Sequence, residues 1–231
     1  SLELLMGLHS IDSKGGHFMI QQYDCAQGSD EWHEARRGVI TGSRFALARE
    51  KKKDGNRPAA AIKYAMDTAR ERCGGLTLPT SQTLAMRIGS EQEDAARASY
   101  ELETGRLVTQ CGFFCTEDRQ FGVSPDGLVD DDGLIEIKTM VSSETLFRCV
   151  VDGISADFID QINGELWLLN RQWCDLVLWA PDLESIGRAL TVRRIHRNED
   201  ALADLVRDLM VFSRIVDNYT AALRGPELEQ A

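Results

Sequence analysis

Asp126 lies in the run Ser124-Pro125-Asp126-Gly127-Leu128, and the chain then reaches Glu136-Ile137-Lys138 after the turn-forming run Asp130-Asp131-Asp132-Gly133. Two carboxylates and an amine so spaced fall on a bent β-hairpin. Side chains alternate along a strand, so Glu136 and Lys138 share one face and Ile137 takes the other. Such a face suits a divalent cation, which hard carboxylate oxygens bind. It also suits phosphodiester cleavage, in which a cation polarises the phosphate and activates water while an ammonium offsets developing charge. Lys138 is placed to orient or help deprotonate the attacking water, and the Ile137 carbonyl offers a further oxygen ligand. Taken alone the pattern is common and equally describes a solvated hairpin face.

More residues extend this chemistry. Glu93 sits mid-helix in Gly89-Ser90-Glu91-Gln92-Glu93 and adds a third acid if that helix packs against the hairpin. Arg36 lies near the end of a helix carrying Trp32. Ser43 follows Thr41-Gly42 at a helix start, where free amides favour anions. An arginine fork with a hydroxyl suits a terminal phosphate better than a lysine does. The plainer readings are a surface ion pair for Arg36 and ordinary capping for Ser43. Gln161, among apolar neighbours, can contact a phosphate or a metal-bound water, or serve as a hydrogen bonder at the core edge. His33 and His196 stand in no triad context and read as structural.

The elements that must position these groups follow from caps and periodicity. Ser29 caps a helix over 30–37 that Gly38 ends, and Thr41 is a second plausible cap. Pro58 opens a helix to Arg72, and another runs from about Ser81 to Thr104, ended by Gly105. Strands are expected over 107–116, 120–124, 134–140, 173–179 and 189–196, with helices over 143–151 and 156–169. Asn198 caps a last helix whose Leu202, Leu205, Leu209, Phe212, Val216, Tyr219 and Leu223 form one apolar stripe, terminated by Gly225-Pro226. The order gives an α/β fold with a helical N-terminal lobe. Residues 1–18 read as an N-terminal extension or expression remnant and 19–231 as a single domain.

The bulk composition narrows the classes. A net charge of −11 argues against a protein that coats nucleic acid indiscriminately, yet leaves room for one with locally clustered lysine and arginine, such as the loop Lys51–Arg57. No apolar run is long enough to cross a bilayer. The six cysteines have no zinc-ligand spacing and read as reduced thiols of a cytoplasmic protein.

Four blocks in order, Trp32 to Ser43, Gly89 to Glu93, Ser124 to Lys138 and Gln161 to Trp167, resemble the phage lambda exonuclease and related viral-type alkaline exonucleases of the PD-(D/E)XK nuclease superfamily. The resemblance implies a mixed central β-sheet flanked by helices. It implies Mg²⁺, with Mn²⁺ as a substitute, held by Asp126, Glu136 and the Ile137 carbonyl with Glu93 close by, and Lys138 as the catalytic lysine. It assigns Arg36, Ser43, Ser124 and Gln161 to a 5′-phosphate pocket. It implies a processive 5′→3′ exonuclease that leaves a 3′ single-stranded tail on double-stranded DNA. It further implies a homotrimeric ring and a single-strand annealing protein as partner in a bacterial or phage-infected cell. Related helicase-associated nucleases carry Gln-x-x-x-Tyr and a cysteine-bound iron–sulfur cluster. Here Glu165 stands at the tyrosine position and the cysteine spacing suits no cluster, which favours the lambda-type branch. The rival readings are a site- or structure-specific endonuclease of the same fold and a catalytically inactive scaffold that binds DNA ends.

Overall fold

The computed structural model describes residues 4–11, 17–77, 83–153 and 156–225. Strands β1 (Leu4–Ile11) and β2 (His17–Tyr23) pair antiparallel, so part of the stretch set aside as an extension lies in a sheet. Helix α1 (Asp30–Arg36) starts at Ser29, whose side chain accepts from the Trp32 amide, and Gly38 turns the chain at φ +72°. The expected cap at Thr41 does not form. Thr41 belongs to β3 (Ile40–Thr41) and its amide donates to the Tyr64 hydroxyl at 3.0 Å. A 3-10 turn over Gly42–Arg44 therefore precedes the short α2 (Phe45–Arg49).

Helix α3 (Ala59–Arg72) begins after Pro58, and α4 (Leu84–Thr104) is capped by Thr83 and closed by Gly105 at φ +68°. The expected start of α4 at Ser81 lies outside the described residues. The stretch read as one strand over 107–116 is two, β4 (Val108–Thr109) and β5 (Phe113–Thr116), in different sheets. The crossing occurs at Gly112, where a Cβ would stand 2.1 Å from the Tyr23 carbonyl oxygen.

Next come β6 (Phe121–Val123), β7 (Gly127–Val129), β8 (Gly133–Thr139), α5 (Ser143–Phe147) and α6 (Ala156–Leu168). The helix expected over 143–151 is α-helical only to Phe147 and then widens into a π-turn over Arg148–Asp152. Strands β9 (Trp173–Trp179) and β10 (Leu190–His196) lead to α7 (Glu199–Arg224), capped by Asn198. Pro226, expected to terminate α7, is outside the described residues.

One sheet has the order β1-β2-β5-β6-β3 and the other β10-β9-β8-β7-β4. Each is mixed, since β3 runs parallel to β6 and β8 parallel to β9. The main core lies between the sheets and helices α2, α3, α6 and α7, with Phe45, Phe114, Phe121, Leu134, Leu166, Leu176 and Phe212 buried in it. A second cluster fills the other face of the second sheet, where Ala96 and Tyr100 of α4 meet Ile135, Ile137 and Val177. A third sets Ala35 of α1 against Phe113 and Cys115. The α7 stripe is buried from Leu202 to Val216, whereas Leu223 is exposed. In the basic loop, Lys51 pairs with Asp208 at 2.8 Å and Arg57 donates to the Ala48 carbonyl, so part of its charge serves the fold.

Candidate active site

The β7–β8 hairpin exists in the expected sense, with Gly127 opposite Ile135 and Val129 opposite Gly133. Alternation along β8 sends Leu134 into the main core and Ile135 and Ile137 toward α4. Glu136 and Lys138 therefore face α6. Asp126, one residue before β7, is tied across the hairpin: its Oδ2 accepts from the Ile137 amide at 2.6 Å. That bond fixes the first carboxylate relative to the Glu136-Ile137-Lys138 strand through the strand's own backbone.

Helix α6 presents Gln161 and Glu165, four residues apart and so on one face, to this strand. The Gln161 Nε2 donates to Glu136 Oε1 at 2.7 Å and to Glu165 Oε1 at 3.1 Å, and its Oε1 accepts from Lys138 Nζ at 3.1 Å. Lys138 Nζ also donates to Glu136 Oε1 at 2.6 Å. The helix is seated closely: a Cβ on Gly164 would lie 2.2 Å from Cε2 of Phe45. Glu93, on α4, is near enough to raise the Asp126 carboxyl, so α4 does pack toward the hairpin, but its own carboxylate is paired with Arg97.

The electrostatics are those of crowded acids. Burial, then Glu136 and Glu93, push Asp126 well above the usual carboxylate range. Burial, then Glu136 and Asp126, do the same to Glu165. Burial alone would lower the Lys138 ammonium, but the adjacent Glu136 and Asp126 raise it, so it stays a cation. Glu93 is raised by burial despite Arg97.

A cleft of about 170 Å³ joins these acids to a second group of side chains; its walls include Trp32, Arg36, Ser43 and Ser124 at one end and Asp126, Gln161 and Glu165 at the other. Ser124 Oγ accepts from the Trp32 indole at 2.9 Å and lies 3.5 Å from Arg36 Nη1. The Arg36 guanidinium stacks 3.8 Å over the Trp32 ring. Burial lowers it to about 10, which still leaves it charged at neutral pH. Among the described residues Arg36 has no carboxylate within ion-pair distance. A guanidinium backed by an indole and left without an anion is a receptor for one. Ser43 lies exposed in the 3-10 turn at the rim.

The structure thus lines one cleft with Asp126, Gln161, Arg36, Ser43 and Ser124, ties Glu136 and Lys138 to it through Gln161, and sets Glu93 near Asp126. Two participants were missed in the sequence. Trp32 stands four residues before Arg36, a helical spacing that signals their contact. Glu165 bears the same relation to Gln161.

Among the described residues no three Asp, Glu, His or Cys side chains close into a ready cage. Hard oxygen donors are nevertheless open, because Glu136 Oε2 and Glu165 Oε2 are buried without a hydrogen-bond partner. The donor set therefore fits a divalent cation rather than a soft metal.

Residues 31–172 match the model of the YqaJ-like viral recombinase domain. The chain belongs to the YqaJ-like viral recombinase family. The matched residues contain most of α1, the hairpin, α6 and every cleft-lining residue except Gln27. The chain is 30% identical to an alkaline exonuclease, LHK-Exo, from Laribacter hongkongensis, with a TM-score of 0.73 over 85% of this chain and 96% of that one. The same exonuclease in complex with dAMP matches with a TM-score of 0.74. A phage-related exonuclease from Haemophilus somnus 129PT shares the fold at 15% identity, with a TM-score of 0.62 over 80% of this chain and 96% of that one. No curated protein sequence matches significantly. The family member has the PD-(D/E)XK fold, its mixed sheets flanked by helices.

Proposed function

We propose that the protein is a divalent-metal-dependent nuclease of recombination, and specifically a processive 5′→3′ exonuclease on linear double-stranded DNA that leaves a 3′ single-stranded tail. One observation carries this reading. An arginine backed by an aromatic ring and without a carboxylate partner lines one small cleft together with two hydroxyls and the acids Asp126 and Glu165, and Glu136 and Lys138 are hydrogen-bonded to the cleft-lining Gln161. Chemistry at an end needs both: donors that grip a terminal phosphate and acids that act on the next phosphodiester. The relative LHK-Exo has been seen with dAMP, a nucleoside 5′-monophosphate, the kind of group these donors fit.

In this reading Arg36, Ser43, Ser124 and Gln161 hold the 5′-phosphate. Asp126, Glu136 and the Ile137 carbonyl, with Glu93 nearby, hold Mg²⁺ or Mn²⁺, which when bound polarises the scissile phosphate and activates water. Lys138, held as a cation, orients the attacking water and offsets charge on the phosphate oxygens. The same reading includes a homotrimeric ring, a single-strand annealing partner and action in the cytoplasm of a bacterial or phage-infected cell.

End-labelled linear duplexes with 5′-phosphate or 5′-hydroxyl ends test it. The wild type should digest phosphorylated ends faster and from the 5′ side. Arg36→Ala should cut that advantage roughly tenfold, the value of a charge-assisted hydrogen bond, and leave hydroxyl ends largely unaffected. Equal loss on both ends would remove the phosphate pocket, and cleavage of closed circles would turn the reading toward an endonuclease.

A further inference from the structure

Glu165 is 1% exposed. Its Oε1 accepts from Gln161 Nε2 at 3.1 Å, and its carboxyl lies within hydrogen-bonding reach of Glu136. Its Oε2 is buried without a partner, and so is Oε2 of Glu136. An orphaned buried acceptor costs about 1–3 kcal/mol, and more when charged. Here two sit on adjoining carboxyls, with Asp126 close by, and among the described residues Lys138 is the one cation that ion-pairs with either of them. The Gln161 amide donates to one oxygen of each glutamate and marks the point that both carboxyls face. A neutral amide leaves the charge of the pair uncompensated; a hard divalent cation compensates it and takes up both free oxygens.

We propose that Glu165 is a further metal-ligating carboxylate, which with Glu136 and Asp126 binds a divalent cation at the inner end of the cleft. The proposal rests on the metal-dependent reading above and extends its ligand set to α6. Binding there draws α6 and β8 together through one ion. Glu165 then serves the metal directly rather than only holding Gln161.

Titration calorimetry with Mn²⁺ alone, together with thermal denaturation in chelator and in Mn²⁺, tests this on the full chain. Glu165→Gln keeps the shape and removes the charge. It should raise the melting temperature in chelator, because a buried repulsion is gone, and weaken Mn²⁺ binding at least about tenfold. The stabilisation conferred by Mn²⁺ should shrink accordingly. A variant with these opposite responses is folded, so misfolding cannot mimic the result. Glu165→Asp retains the charge but draws it back. Should the glutamine variant not fold, weakened Mn²⁺ binding by Glu165→Asp supports the proposal and unchanged binding overturns it. Wild-type affinity in Glu165→Gln alongside loss in Glu136→Gln would show that Glu165 merely shares a proton with Glu136, and would leave the nuclease reading intact. No Mn²⁺ binding by the wild type would sink both.

Discussion

Asp175 and Glu136 are acids on adjacent parallel strands of one sheet, each 2% exposed, and they point to opposite faces. Asp175 shares the α4 face with its register partner Ile135. There the Tyr100 hydroxyl donates to it at 2.8 Å and the Arg194 fork at 2.8 and 2.7 Å, while Arg194 stacks 3.7 Å over Trp173. Both carboxylate oxygens that burial takes from water find donors supplied by the fold. Glu136 faces α6 instead, with Lys138 and Gln161 on one oxygen, nothing on the other, and more acids alongside. Burial and charge type are the same on both faces. What separates a structural acid from a working one is whether the protein completes its hydrogen bonding or leaves that to a ligand.

The contrast can be broken from either face. Lys138→Ala should have the largest effect, a loss of at least about two orders of magnitude in digestion rate with DNA binding kept, as expected for removing an electrostatic stabiliser. Single-turnover kinetics beside a binding assay would show it, and near-normal digestion would place the working charge elsewhere. Arg194→Ala should do the reverse. Leaving Asp175 buried without its cation should cost on the order of 3 kcal/mol in denaturant unfolding, with little change in rate per folded molecule.

The acidic face should also betray itself through pH. Asp126 and Glu165 hold their protons far more tightly when folded than at the ordinary carboxylate value of about 4. Their contribution to stability is therefore full below about pH 4 and lost as pH rises through the raised folded values. In chelator the melting temperature should fall across that range, and excess Mg²⁺ should flatten the decline. A profile that rises with pH in chelator would mean that the acids do not repel. The smallest effect belongs to Tyr100→Phe, which deletes one donor to Asp175 but keeps the arginine fork and should cost about 1 kcal/mol.

Much of the acidic face was legible because a period of two settles which way Glu136, Ile137 and Lys138 point. The caps at Ser29 and Asn198 were legible for a similar local reason, a side-chain acceptor next to free amides. Residues whose meaning depends on distant partners were not. Ser124 acquired a place in the pocket only through the family resemblance, since its contact with Trp32 spans two segments far apart in the chain. Glu165 read as a mere departure from a tyrosine pattern, because nothing local says that its face of α6 meets β8. Strands β1, β2 and β3 of the first sheet escaped notice for the same reason: β2 meets β5 only after the chain crosses between sheets at Gly112.

Gly164 gives the acidic face a mechanical basis. Its missing side chain lets α6 rest directly on the Phe45 ring, and that contact sets how far Gln161 and Glu165 reach toward β8. The cleft is thus calibrated from the side, by an apolar contact roughly a quarter-turn around the helix from Gln161 and Glu165. A single methyl added there would act as a shim, shifting the helix axis and detuning the acids together while every polar atom of the site stayed chemically unaltered.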